Sequence, residues 1–309
     1  MTRRSPSSYA PRLGSPSEVD IEELCALVER HTRMTVSETK RGAVAVRLTT
    51  RLREMRLPSI AAYCRLLERD SAELLYVIDL VTTHETSFFR HAHHFAFLED
   101  QLLPQWRKDA AHARRPHEIR VWSAGCSTGE EPYSVAMVVA GGLTPATGWS
   151  VNVLATDISE AALASARSAT FPLDRGWQIP DHYRRLFTRE TIRDGRPALQ
   201  VRSEIARTVR FERLNLLDEI YPAGRDFDVI FCRNVLIYFR PEVRRAVVDR
   251  LADHLAPDGH LILGQAEGLL GASRLRRVAP TVYRVGSPAL ASIPPSSRPP
   301  RIRGARGRQ

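Results

Sequence analysis

The chain has 309 residues, a length that suits two domains, and an ordinary apolar fraction of 43%. No uninterrupted apolar run is long enough to span a bilayer, and the basic N-terminus has no apolar stretch behind it, which argues against a secretory signal and makes the cytoplasm the expected location. The net charge of +10 invites a nucleic-acid reading, but residues 1–17 carry +3 and residues 286–309 carry +5, so the body between them is close to neutral.

The two flanking segments are rich in Pro, Ser, Gly and Arg, a composition that predicts disordered tails over 1–17 and 286–309. Between them, Ser17 and Asp20 mark a helix start, and Ile21, Leu24, Cys25 and Val28 share one helical face. Helical spacing continues over 39–55 (Val44, Leu48, Leu52, Met55), 59–69 behind the N-cap candidate Ser59 (Ile60, Tyr63, Leu66, Leu67), and 71–83 (Leu74, Leu75, Ile78, Leu80, Val81). Residues 18–83 therefore read as a helical domain. A further helix is expected over 92–103, with Phe95, Leu98 and Leu102 inward.

From about residue 117 short apolar strands alternate with amphipathic helices. Strands are expected at 119–123, 151–156, 209–214, 227–232, 260–264 and 281–285, and helices at 131–140, 159–169 and 241–255. Pro257-Asp258-Gly259 reads as a helix stop and turn. This pattern predicts an α/β fold with a mostly parallel sheet covered on both faces. Residues 171–206 interrupt the alternation and read as an inserted antiparallel lobe. The four cysteines show no Cys-x-x-Cys spacing, so buried reduced thiols are expected.

Five segments carry candidate chemistry. The first is Ser123-Ala124-Gly125-Cys126-Ser127-Thr128-Gly129-Glu130-Glu131, a glycine loop between a strand and a helix. Such loops hold nucleotide-type cofactors, but two carboxylates in the first helical turn would repel a pyrophosphate. A cofactor with cationic ammonium and sulfonium groups fits better, which points to S-adenosylmethionine. Glu130 is the expected cofactor contact and Glu131 the dipole partner.

The second is Asp157, at the carboxyl end of the next strand, where ribose hydroxyls arrive in Rossmann-like folds. Capping of the following helix is its structural alternative. The third pairs Asn215, suited to adenine edges, with Leu216, suited to the ring face; a plain turn Asn is the alternative. The fourth is the apolar strand Phe227–Cys232 ending in Arg233, Asn234 and Tyr238. The fifth, Thr82 to Arg90, joins the helical part to the sheet. His84, His91, His93 and His94 cluster beside it, but no acid or thiol completes a ligand set, so no metal is expected.

Together these segments resemble the CheR family of chemotaxis receptor methyltransferases. The matching residues are Thr82-Thr83, Phe88-Phe89-Arg90, His93-His94-Phe95, Ser127-Thr128-Gly129-Glu130-Glu131-Pro132-Tyr133-Ser134, Thr156-Asp157-Ile158, Asn215-Leu216-Leu217 and Phe231-Cys232-Arg233-Asn234-Val235-Leu236-Ile237-Tyr238-Phe239. The resemblance spans about 18–285. It implies a helical N-terminal domain (18–83), a class I Rossmann-like methyltransferase domain (84–285), and a small β-subdomain inserted at 171–206.

The resemblance also implies methyl transfer from S-adenosylmethionine to glutamate side chains on the cytoplasmic domain of membrane chemoreceptors. By position, His84, Thr86, Arg90, Glu130, Asp157, Asn215, Leu216, Arg233 and Asn234 would contact the cofactor. Arg90 and Tyr238 would hold the substrate carboxylate. His84 stands where the family usually has Asn. The short stretch over 188–196 implies a member that does not depend on the receptor's C-terminal pentapeptide. A non-catalytic S-adenosylmethionine-binding adaptor of the same fold is the alternative. A dehydrogenase is disfavoured by the two carboxylates and by the absence of a third glycine in the loop. A nucleic-acid methyltransferase is disfavoured by the near-neutral body.

Overall fold

The computed structural model describes residues 17–32, 38–81, 85–269 and 274–286. The predicted tails, apart from their inner end residues, lie outside these ranges, as does His84.

The first four helices are α1 (Glu18–Thr32), α2 (Glu38–Glu54), α3 (Ile60–Leu67) and α4 (Ser71–Val81). Ser59 caps α3, its hydroxyl accepting from Ala62 N at 3.2 Å. Leu24, Leu27, Leu48, Leu52, Tyr63, Leu67 and Val77 form the core of this bundle. Leu27 joins it from outside the expected stripe. The side chains of Val28, Ile78, Leu80 and Val81 lie outside the described residues. Inside the bundle, the buried Glu73 carboxylate receives Arg51 at 2.8 and 2.6 Å and the Tyr63 hydroxyl at 2.5 Å. One carboxylate thereby ties three helices together.

The next helix is longer than its periodicity suggested. It runs as α5 (Ala92–Phe97), a π-helical turn (Leu98–Leu102), and α6 (Leu103–Ala111). Pro104 is the reason. A proline in a continuous helix lacks its N–H and clashes with the carbonyl four residues back. The wider turn, with Leu103 N bonded to Leu98 O, shifts the register so that the helix passes the proline.

The sheet domain then alternates: β1 (Glu118–Ala124), α7 (Glu130–Gly142), β2 (Ser150–Asp157) and α8 (Glu160–Arg167). The inserted lobe follows with β3 (Thr170–Pro172), α9 (Asp181–Phe187), β4 (Thr188–Arg193), β5 (Arg196–Val201) and α10 (Ser203–Ala206). The chain closes with β6 (Val209–Arg213), β7 (Phe227–Cys232), α11 (Pro241–Asp253), β8 (Leu255–Leu263), β9 (Leu275–Ala279) and β10 (Val282–Val285).

The main sheet has the order β6-β2-β1-β7-β8-β10-β9. All neighbours from β6 to β8 are parallel, and β10 runs antiparallel to both of its neighbours. Alternate residues feed two cores: Val121, Val153 and Phe231 on one face, Trp122, Leu154 and Ile230 on the other. Burial on both faces is why these strands read as nearly continuous apolar runs. Chain order reverses at β1, which lies between β2 and β7, so a crevice opens at the carboxyl ends of these strands.

Two expectations are corrected here. Pro257-Asp258-Gly259 is not a turn ahead of a strand but a bulge inside β8. The pairing steps from Phe227↔Leu255 to Val229↔His260, so the extra residues loop out. Strand β9 was not expected at all, because Leu275-Arg276-Arg277-Val278-Ala279 is an edge strand with three exposed residues and little alternation. The inserted lobe forms its own sheet, order β3-β5-β4. Asp194 and Gly195, at φ of 50° and 73°, close β4 onto β5 in a two-residue turn.

Replacing Glu73 with alanine strands the Tyr63 hydroxyl and removes the partner of Arg51. A loss of about 3 kcal/mol is expected from breaking charge-assisted bonds at a buried site. Urea unfolding of the full chain checks this, and an unchanged midpoint would remove the triad from the account of stability.

Candidate active site

The crevice at the strand ends is a cleft of about 840 Å³, open to solvent. Its walls include Thr86, Arg90, Glu131, Asp157, Asn215, Leu216, Arg233, Asn234 and Tyr238. Eight of the residues expected at cofactor or substrate thus face one cavity, joined by Glu131.

The glycine loop sets its floor. Gly125 (φ +86°) and Cys126 both donate to Thr156 O, at 2.7 and 2.9 Å, which binds the end of β1 to the end of β2. A Cβ on Gly125 would come within 2.3 Å of Val235 Cγ2. Gly129 (φ +99°) turns the chain into α7 with Ala166 close behind it. Asp157 fastens the loop from the side. Its Oδ2 accepts from Ser127 N at 2.7 Å and its Oδ1 from Ser159 N at 3.0 Å. Ser159, not Asp157, caps α8.

The two carboxylates of α7 exchange the places expected for them. Glu130 is buried away from the cleft wall, its Oε2 taking the Thr128 hydroxyl at 2.6 Å. Glu131 reaches the wall. Its Oε1 accepts from Ser123 Oγ and its Oε2 from Arg233 Nε, both at 2.6 Å. Consecutive helical residues point about 100° apart, so only one of the pair can face the crevice. The entry angle at Gly129 decides which.

Arg233 is the hub of the site. Besides Glu131 it reaches Arg90 O at 2.5 Å and His94 Nδ1 at 3.1 Å through Nη1. Its guanidinium carbon lies 5.5 Å from both the Phe95 and Phe231 ring centres. His94 Nδ1 must accept from the guanidinium, so Nε2 carries the proton and donates to Thr281 Oγ1 at 2.7 Å. Burial first, and then the Arg233 cation, push the His94 imidazole down to about 3. Both of its nitrogens are spoken for. Among the described residues no group of three or more His, Cys, Asp or Glu is arranged to hold a metal ion.

The segment 85–90 lines the cleft from outside the sheet, and three side chains hold it. Arg175 donates to Thr86 O at 2.8 Å, Gln178 Oε1 accepts from Phe88 N at 3.1 Å, and Ser134 Oγ accepts from Phe89 N at 3.0 Å. The inserted lobe therefore helps to place Arg90, whose own Nη1 donates to Glu85 O at 2.9 Å. On the far wall, Asn215 Oδ1 takes Leu217 N at 3.0 Å, an Asx-turn that leaves the amide nitrogen for a ligand.

The residues suit S-adenosylmethionine. Leu214, Leu216, Val235 and Phe239 supply apolar wall for a base. Asp157 and Glu131 supply acceptors for hydroxyls and a cation, and Asn215 supplies amide donors.

Comparison with known proteins gives the family. The SAM binding domain of CheR methyltransferases matches residues 84–284, and the CheR all-alpha domain matches 19–82. The chain belongs to the CheR methyltransferase family. It is 39% identical over 257 residues to a chemotaxis protein methyltransferase of Salmonella typhimurium, covering 81% of this chain and 84% of that protein. It is 38% identical over 256 residues to one of Escherichia coli, covering 81% and 85%, and 32% identical over 268 residues to one of Borreliella burgdorferi, covering 86% and 93%. This CheR-family protein is an S-adenosylmethionine-dependent methyltransferase.

Sequence reasoning missed Arg175, Gln178 and Glu267, and it named Ser134 in a motif without its role on Phe89 N. The buried Glu267 side chain accepts from Asn234 N, Gly264 N and Ile237 N at 2.7, 2.7 and 3.2 Å. Its one visible signal is position: an acid three residues past Gly264, at the carboxyl end of a buried strand.

The depressed His94 gives a pH prediction. Its folded pKa, about 3, lies below the unfolded value near 6.5, so the unfolded chain binds the proton first. His94 therefore costs no stability above pH 6.5 and progressively more as pH falls from 6.5 toward 3. His260, pushed down to about 4 chiefly by burial, acts in the same sense. The His94→Gln variant should lose stability between pH 6 and 4.5 with a slope shallower by about 1.4 kcal/mol per pH unit. Urea unfolding across that range measures it; equal slopes would contradict the assignment.

Proposed function

We propose that this protein esterifies glutamate side chains on the cytoplasmic domain of membrane chemoreceptors, working in the cytoplasm. The observation that carries the reading is that Arg90 and Tyr238 line the same cleft as Asp157, Asn215 and Glu131. One cavity thus offers an anion clamp, a hydroxyl donor and a set of acceptors for a cationic, ribose-bearing cofactor. Among the described residues no helix is long and apolar enough to cross a membrane.

The cofactor contacts are assigned to Thr86, Arg90, Asp157, Asn215, Leu216 and Asn234, with Glu131 in place of Glu130 and Arg233 acting from beneath. Asp157 suits the ribose hydroxyls, and Asn215 with Leu216 suits the adenine. When bound, S-adenosylmethionine supplies an electrophilic methyl group that a carboxylate oxygen accepts to give the methyl ester.

A glutamate side chain has an ordinary pKa of about 4.3 and is ionised at neutral pH, so the site needs no general base. The work left to the protein is positioning. Arg90 has one N–H on Glu85 O and keeps others for a carboxylate. Tyr238 can donate its hydroxyl to the same group. Glu131, neutralised by Arg233, does not repel the incoming anion.

The Arg90→Ala variant should lose methylation at least about 100-fold, the scale of a misplaced reactant. Transfer of tritiated methyl groups to receptor-containing membranes, with the label released by alkali, reads this. Near-normal turnover would rule out the role of Arg90, and absence of alkali-labile label with the unaltered protein would favour the non-catalytic adaptor. The two-residue turn at Asp194-Gly195 supports pentapeptide independence. Calorimetry with a receptor C-terminal pentapeptide should show no saturable heat, and tight binding would overturn that part.

A further inference from the structure

We propose that Glu267 is a positioning residue for methyl transfer, a buried carboxylate that fixes the Asn234–Tyr238 segment and through it the Tyr238 hydroxyl. The proposal rests on the reading that Tyr238 faces the substrate carboxylate.

Glu267 is fully buried and is not among the cleft-lining residues, so a ligand in the cleft does not meet it. Everything it holds, however, is next to the cleft. Its Oε2 takes Asn234 N and Gly264 N, and its Oε1 takes Ile237 N. Asn234 sits at φ +62°, a left-handed conformation that costs a non-glycine residue on the order of 1 kcal/mol and persists only when its surroundings impose it. Ile237 lies inside the short 3-10 turn Leu236–Tyr238. The carboxylate thus caps, from another part of the chain, the turn that carries Tyr238.

The anchor is rigid at its other end. Glu267 N donates to Gly264 O at 3.0 Å while Gly264 N donates back to Glu267 Oε2, a reciprocal closure. Gly264 directly follows β8, whose Leu263 pairs with Cys232 of β7. The position of Tyr238 is therefore referred to β7 and β8 as well as to its own turn. A Cβ on Gly264 would lie 2.4 Å from Glu267 Oε2 and 3.0 Å from Asn234 N, so only glycine leaves room for the carboxylate.

The two oxygens give an experiment that separates positioning from folding. The Glu267→Gln variant keeps one oxygen, which serves the two donors Asn234 and Gly264, and sets an NH2 against Ile237 N. The cofactor side stays anchored while the Tyr238 side is released. E267Q should lower kcat between about 10- and 100-fold, with the affinity for S-adenosylhomocysteine by calorimetry within about threefold of the unaltered protein. On a Tyr238→Phe background the same substitution should cost less than threefold, because its effect passes through the hydroxyl already removed.

Full turnover in E267Q, a parallel loss of S-adenosylhomocysteine binding and kcat, or full additivity with Y238F would overturn the proposal. Full turnover in Y238F alone would instead overturn the role given to Tyr238, a separate result read from a separate variant.

Discussion

The buried ion pair between Arg233 and Glu131 is the interaction on which this site depends. Its two charges sit at 2% and 9% side-chain exposure, 2.6 Å apart. A pair so deep gains little net free energy over an apolar pair of the same shape, because desolvation consumes most of the attraction. What it adds is geometry. Arg233 directly follows β7, Glu131 lies in the first turn of α7, and the guanidinium Nη1 reaches Arg90 O and His94. Three separate pieces of chain meet on one planar cation. Removing either charge would leave the other buried and alone, at a cost of roughly 3–5 kcal/mol, so the pieces are held as a unit.

Carboxylates do much of the remaining fastening, and they do it through backbone N–H groups. Asp157 joins the loop after β1 to the loop after β2. Glu267 joins the end of β8 to the turn after β7. Asp228 joins Arg120 N and Arg115 near the opposite end of the sheet. A charged acceptor makes each of these bonds stronger than a neutral one. The backbone around the cleft needs such fastening. Phe89, His91, Ser127 and Asn234 all adopt positive φ without being glycine. The strain gathers around the cleft; buried acids hold Ser127 and Asn234 through their N–H groups, and the Ser134 hydroxyl holds Phe89.

Why some of this was legible and some was not follows from direction and distance. Strands β1, β2 and β7 announce themselves because both faces are buried, so their apolar runs survive any uncertainty of register. Asp157 and Asn215 are legible because a strand's carboxyl end fixes where the next residue goes. Glu130 and Glu131 could not be told apart, since one residue of helical phase separates a cleft residue from a packed one. That phase is set by Gly129 and by Ala166 behind it, in another helix. Glu267 and Gln178 were missed for a different reason. Each acts on backbone donors that are remote in sequence, and a lone polar residue near a turn looks the same whether it is solvated or central. Strand β9 and the π-helical turn were missed because one is a basic edge and the other is imposed by a single proline.

The charge layout explains how one cleft can receive a cation and an anion at once. A wall with every carboxylate uncompensated would attract S-adenosylmethionine and repel the substrate glutamate. Pairing Glu131 with Arg233 compensates its charge while leaving it on the wall, whereas Asp157, among the described residues, bonds backbone N–H groups and has no cation beside it. Arg90 and Tyr238 then offer donors in the same cavity. Methyl transfer to a carboxylate cancels one positive and one negative charge, so the reaction itself weakens both attractions. In the proposed reaction, the product ester has no anion for Arg90 to hold, and the thioether has no sulfonium for the acceptors. Under the proposed roles, the same charges that gather the reactants therefore lose their grip on the products.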